Sequence, residues 1–157
     1  MRKIPRIVLF LPSLSGGGAE RVSIRLAKGF LTAGLEVDLF VVSEGGVWDG
    51  ETPLGARVFY ARASRTLFSV PEFIAYLRSE RPSAVLSVLA HANVSAALAK
   101  RFSGVDARLI LSEHVVPSQA MRYRQTLKGA LTYLVARVMY RQADAIVAVS
   151  EAVKRDV

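Results

Sequence analysis

Three places in the chain carry backbone or side chains that could do chemistry. The first is Pro12-Ser13-Leu14-Ser15-Gly16-Gly17-Gly18-Ala19-Glu20-Arg21. Gly16, Gly17 and Gly18 follow an apolar run and precede a segment of helical period. Glycines there let the chain turn tightly and bring bare N–H groups close to an anion, helped by the helix dipole. A glycine-rich connection with no ligand has the same composition. The second place is Ser112-Glu113-His114-Val115-Val116-Pro117, where a histidine beside a glutamate ends an apolar run and precedes a proline-restrained loop. That position suits a ligand hydrogen bond for His114 and Glu113. The third is His91, in Leu89-Ala90-His91-Ala92-Asn93, which ends another apolar run in the same way. A loop or helix-entry role is the plain alternative for either histidine.

The sequence excludes several chemistries. Gly16 and Gly18 match the first two positions of a dinucleotide fingerprint, but Arg21 stands where the third glycine would be, and its bulk is expected to obstruct close helix–strand packing. Glu44 could imitate the ribose-binding acid of such a site. No Gly-Lys-Ser/Thr follows the loop, so it is not a Walker loop. Two histidines without a third ligand at sensible spacing make a poor zinc site, and no metal or cofactor is expected. No serine lies in a G-x-S-x-G elbow. The chain has no cysteine, which excludes disulfides, thiolate metal sites and cysteine nucleophiles and fits a reducing cytoplasm.

The elements that must position these groups are legible as periodicity. The chain has 157 residues, 52% of them hydrophobic and 22% charged, enough for one domain with a real core. Six runs rich in Val, Ile, Leu and Phe read as strands: Arg6–Leu11, Glu36–Val42, Arg57–Tyr60, Ala84–Leu89, Arg108–Ser112 and Ala145–Val149. Between most of them lie helical segments. The first places Val22, Leu26 and Phe30 on one stripe and stops at Gly34; the second opens with a capping-box spacing, Ser69 to Glu72, and ends before Pro82. The third carries Val94, Leu98 and Phe102 and stops at Gly104, and the fourth spans roughly 118–142. The link from Val42 to Arg57 has no apolar period and reads as a loop, and Ser150 onward as the start of a helix. Alternation of this kind predicts a Rossmann-like α/β three-layer sandwich, its mostly parallel sheet of about six to seven strands covered by helices on both faces. No apolar run reaches the roughly 18 residues of a membrane span. The basic start, Met1-Arg2-Lys3-Ile4-Pro5-Arg6, precedes too short an apolar stretch for a signal peptide.

Net charge is +8, which points to an anionic partner. Residues 119–142 hold Arg122, Arg124, Lys128, Arg137 and Arg141 and no acid. On a helical wheel Tyr123, Tyr133 and Tyr140 fall among these arginines, opposite Leu127, Leu131, Leu134 and Val138. Cations with interleaved amphipathic rings suit a contact of Arg122, Arg137 and Arg141 with an anionic membrane surface; a merely solvated basic face is the alternative. Aromatics make up only 8% and no nucleic-acid motif is present, so nucleic acid is not the expected partner.

Three motifs in order carry a resemblance. Gly16–Val22 (Gly-Gly-Gly-Ala-Glu-Arg-Val), Ser112–His114 (Ser-Glu-His) and Ala143–Lys154 (Ala-Asp-Ala-Ile-Val-Ala-Val-Ser-Glu-Ala-Val-Lys) together resemble the N-terminal domain of family 4 glycosyltransferases of the GT-B fold. The resemblance covers the whole chain. It implies a retaining enzyme that moves a sugar from a nucleotide-diphosphate sugar to a saccharide or lipid-linked acceptor in cell-envelope polysaccharide or lipopolysaccharide synthesis. It further implies a cytoplasmic protein, peripheral on the inner face of the plasma membrane where the acceptor is lipid-linked. Gly16, Gly17 and Gly18 resemble the loop near the donor diphosphate and acceptor, His114 the family histidine that reaches the transferred sugar, and Ser150 and Glu151 a turn near the interdomain cleft. Glu20 and Arg21 belong to the same motif with a structural role, securing the first helical turn. No counterpart of the family's nucleotide-gripping second domain, with its Glu-x7-Glu element, is expected within these 157 residues. Glu36/Glu44 and Glu72/Glu80 share the spacing without the glycine-rich context. The chain alone is therefore expected to bind nucleotide-sugar weakly or not at all and to lack turnover. A nucleotide- or dinucleotide-binding module without transferase activity is the alternative reading.

Overall fold

A computed structural model describes residues 4–114 and 138–155. Strands β1 (Arg6–Leu11), β2 (Glu36–Val41), β3 (Arg57–Tyr60), β4 (Ala84–Val88), β5 (Arg108–Glu113) and β6 (Ala145–Ala148) coincide within a residue or so with the six apolar runs. They form one sheet in the order β3-β2-β1-β4-β5-β6, every neighbouring pair parallel. All six carboxyl ends therefore lie along one rim. The order reverses between β1 and β4, and at such a switch point the connections leave in opposite directions and open a crevice.

Alternation along the strands sends successive side chains to opposite faces. Val8 and Phe10 enter one core cluster with Phe40, Val85, Leu109 and Leu111, covered by helices α2 (Val70–Glu80) and α3 (Ala90–Ser103). Leu9 and Leu11 enter the other with Leu39, Val41, Leu86 and Val88, covered by α1 (Gly18–Thr32). On the first face Phe73 fills the space between Phe10 and Phe40, with ring centroids 4.6 and 4.7 Å away. A short helix α4 (Glu151–Lys154) follows β6, and residues 43–56 form a loop with one 3-10 turn, as the missing apolar period predicts.

The helix faces differ from the periodic stripes. Val22 and Leu26 are exposed, and α1 packs on the sheet through Ala19, Ser23, Ile24 and Ala27. In α3, Phe102 is exposed, whereas Ala92, Ser95, Ala96, Ala97 and Ala99 are buried. Small side chains let these helices approach the sheet closely, and this outweighs burial of the larger residues beside them. The capping box also fails. Ser69 is the N-cap of α2, but its hydroxyl donates to the Thr66 carbonyl, and Glu72 accepts the Arg62 N–H instead. The fourth predicted helix lies outside the described residues except for its end, Val138–Tyr140.

The amino-terminal rim is closed by an ionic network. Asp38, 1% exposed, accepts two hydrogen bonds from Arg57, at 2.8 and 2.7 Å, and one from the Tyr76 hydroxyl at 2.5 Å. Glu80 bridges Arg57 and Arg6, and Arg6 also meets Glu36. Of the four glutamates with the Glu-x7-Glu spacing, Glu36 and Glu80 thus have structural partners here, and Glu72 has one at the opposite end of α2, in the Arg62 N–H.

Candidate functional site

The carboxyl rim gathers the candidate residues. The β1–α1 loop turns through Gly16, whose φ of +113° a side chain rarely adopts. Gly17, the N-cap of α1, has an ordinary φ of −73°, and its requirement is space: a Cβ there would overlap the Glu20 carboxylate. Gly18 faces open space. The loop after β2 closes onto this turn. The Trp48 N–H donates to the Leu14 carbonyl at 3.0 Å, and Gly46 lies so close to the same carbonyl that a Cβ would not fit. Arg21 is exposed and lays its guanidinium over the Trp48 ring, 5.9 Å from the centroid. It does not obstruct helix packing, because α1 meets the sheet through Ala19 and Ser23.

His114 follows β5 on the α1 side of the sheet, with Nε2 3.1 Å from Ser112 Oγ. Burial holds its imidazole below the usual histidine range, partly opposed by the Glu20 carboxylate. The same two effects act in the same order on His91, at the entry to α3. The turn that presents His91 is strained. Leu89 has φ +79° and ψ 138°, a conformation costly for a residue with a branched side chain, and its N–H donates to the Ser112 carbonyl.

Glu113 has a different employment. Alternation puts it on the opposite face from Ser112 and His114, 1% exposed, where Asn93 Nδ2 donates to Oε1 at 2.9 Å and the Tyr140 hydroxyl donates to the same oxygen. The Asn93 amide also donates to the Ser112 carbonyl at 3.1 Å. The group ties α3 and the helical residues before β6 to β5, so the Glu113 carboxylate is committed beneath the rim. Burial pushes its carboxyl up from the ordinary 4.5, only partly offset by these two hydrogen bonds, and raises the Tyr140 hydroxyl as well. Ser150 caps α4, its Oγ accepting the Val153 N–H at 3.3 Å. Arg141 is exposed; Arg122 and Arg137 lie outside the described residues.

Sequence reasoning missed the burial of Glu20 against Gly17 and the roles of Asn93 and Tyr140. The signal for Glu20 was its N3 position after a glycine N-cap, where an acid folds back over the first turn.

The described residues thus form an open parallel α/β sheet with a glycine turn and two histidines at its carboxyl rim. The family model for Glycosyltransferase Family 4 matches residues 16–157, and the chain belongs to that family. No curated protein matches it in sequence. Among solved structures it is similar to Anabaena HepE in complex with UDP (TM-score 0.72, 18% identity, 96% of this chain and 39% of that one). It is also similar to the lipopolysaccharide outer core galactosyltransferase WaaB (0.68, 17%, 96% and 41%) and to Acinetobacter baumannii MurG (0.62, 12%, 92% and 41%). The chain spans about two fifths of the length of each. These likenesses establish the GT-B type of fold.

Proposed function

We propose that this domain is the acceptor side of a retaining hexosyltransferase that takes a sugar from a nucleotide-diphosphate sugar. The observation that carries the reading is the convergence of the Gly16–Gly18 turn, His91 and His114 on one rim at the switch point of a family 4 chain. HepE, at 18% identity, was solved with UDP, which supports a nucleotide-linked donor. Departure of a nucleoside diphosphate needs fixed positive charge around its phosphates in a site closed to water. The described rim of this domain offers imidazoles held toward neutrality and a carboxylate. The phosphate-gripping charge is assigned to a second domain whose closure completes the site. His114 then faces the transferred sugar, and the loops after β1 and β2 shape the acceptor pocket.

The acceptor is a saccharide or lipid-linked saccharide of cell-envelope polysaccharide or lipopolysaccharide synthesis, reached from the cytoplasmic leaflet. The same rim supports this: Leu67 and Phe68 are 56% and 62% exposed, on a short turn fixed by Ser69, beside exposed Arg62 and Arg65. Apolar tips flanked by cations suit an anionic lipid interface. No helix among the described residues is long and apolar enough to cross a membrane.

Calorimetric titration of the chain with UDP-sugars tests the division of labour. Weak or no binding is expected. Tight binding would place the donor site on this domain and overturn it.

A further inference from the structure

Asn93, in the first turn of α3, is fully buried beside Ala92, Ala96 and Ala97. Its Nδ2 meets three oxygens: the Ser112 carbonyl at 3.1 Å, Glu113 Oε1 at 2.9 Å and the Tyr140 hydroxyl at 3.1 Å. Its Oδ1 is buried with no hydrogen-bond partner among the described residues. Turning the amide over would set that oxygen against a carbonyl and a carboxylate, so the orientation is fixed by the neighbours. An orphaned buried acceptor is costly, and a leucine of similar volume would fill the same space without it. The residue is therefore explained by what its N–H groups hold.

What they hold is the junction of the two histidine segments. The β4–β5 ladder ends at Val88 and Ser112. Beyond it the Ser112 carbonyl accepts the Leu89 N–H at 3.2 Å as well as the Asn93 amide, while the Leu89 carbonyl accepts the Asn93 N–H at 2.8 Å. Leu89, Ser112 and Asn93 thus close a ring of hydrogen bonds, with His91 on the chain between the first and the last. Leu89 keeps its φ of +79° inside that ring, and strain of this kind persists only where the surroundings over-determine it. On the β5 side Ser112 Oγ lies 3.1 Å from His114 Nε2, and the amide also holds Glu113, the residue before His114. We propose that Asn93 is a positioning residue: it fixes the end of β5, and with it His114, against the strained entry of α3.

The role toward His114 rests on the transferase reading; the hold on Leu89 does not, and the two are tested separately. In the chain itself Leu89→Gly relieves the positive φ. Its effect on Tm should be more favourable by about 2 °C or more in wild type than in Asn93→Ala, where the turn is free to relax. Equal effects would overturn the hold. In the complete enzyme carrying this domain, Asn93→Ala should lower kcat about tenfold or more with the donor KM unchanged. The same substitution in a His114→Ala background should cost less than about twofold further, because the placement of an absent imidazole cannot matter. Equal losses in both backgrounds would make Asn93 a general packing residue and overturn the proposal. Full kcat in the His114→Ala enzyme would overturn the role of His114 in transfer, and its positioning with it, while the Leu89 result stands by itself. If Asn93→Ala does not fold, Tyr140→Phe, which takes one oxygen from the same amide and leaves α3 intact, is read in the same two ways.

Discussion

Replacing the three glycines one at a time by alanine separates three physical demands that look identical in the sequence. Gly16 sits at φ +113°, and an alanine there should cost about 1–3 kcal/mol in strain, offset by about 0.4–1 kcal/mol from a stiffer unfolded chain. The net loss of about 1–2 kcal/mol lowers Tm by about 2–8 °C for a domain of this size. Gly18 has no positive φ and faces open space, so Gly18→Ala should leave stability unchanged or raise Tm by up to about 4 °C. Gly17 has an ordinary φ, and its Cβ would meet only the movable end of Glu20. Gly17→Ala should change stability by no more than about 1 kcal/mol while displacing the carboxylate and lowering the titration midpoints of His91 and His114. Scanning calorimetry with NMR titration of the two imidazoles measures all of this. Equal destabilisation by Gly16→Ala and Gly18→Ala would show that backbone strain is not what sets Gly16 apart, and a Gly17→Ala that leaves both histidines untouched would show that the Glu20 carboxylate does not act on them.

Other outcomes follow from the same structure. Asp38→Ala strands the Tyr76 hydroxyl and removes the bidentate partner of Arg57. Because Arg57 is half exposed and can turn to water, the cost should fall near the lower end of about 3–5 kcal/mol, and a loss under 1 kcal/mol in urea unfolding would contradict the network. Glu113 is held above its ordinary 4.5, so its contribution to stability is complete below that pH and declines as pH rises through the raised value. Glu113→Gln, which keeps an accepting oxygen for Asn93 and Tyr140, should flatten that decline in stability-versus-pH curves; an unchanged slope would place its origin elsewhere. Leu67→Ser with Phe68→Ser, and separately Arg62→Glu with Arg65→Glu, should each reduce cosedimentation with anionic phosphatidylglycerol vesicles. Wild-type retention by both pairs would remove the lipid interface at this rim.

The sheet was legible because both faces of its central strands are covered, so β1, β2, β4 and β5 read as nearly continuous apolar runs, interrupted only by single polar residues such as Asp38 and Ser87. The helices were legible in position but not in orientation. Counting large apolar residues selected Val22, Leu26 and Phe102, whereas contact with a parallel sheet rewards the small faces made by Ala19, Ser23 and Ala27 and by Ala92, Ala96 and Ala99. Period-two alternation separates Glu113 from His114 and sends the two to opposite faces, although adjacency in Ser-Glu-His suggested a shared target. The first-turn position of Glu20 is legible from its spacing after Gly17, whereas its close approach to Gly17 is visible only in the structure. The Asn93–Glu113–Tyr140 group joins residues 20 and 27 positions apart, and no local pattern reports it.

In the proposed function His114 works at the transferred sugar on the rim it shares with the glycine turn. Its most direct test is the rate of sugar transfer by the complete enzyme carrying this domain, with His114→Ala against wild type at saturating donor. Loss of a contact made to the reacting centre should lower kcat by about 10²–10³-fold without changing the affinity for the nucleotide alone. Wild-type kcat in His114→Ala would remove His114 from the reacting centre.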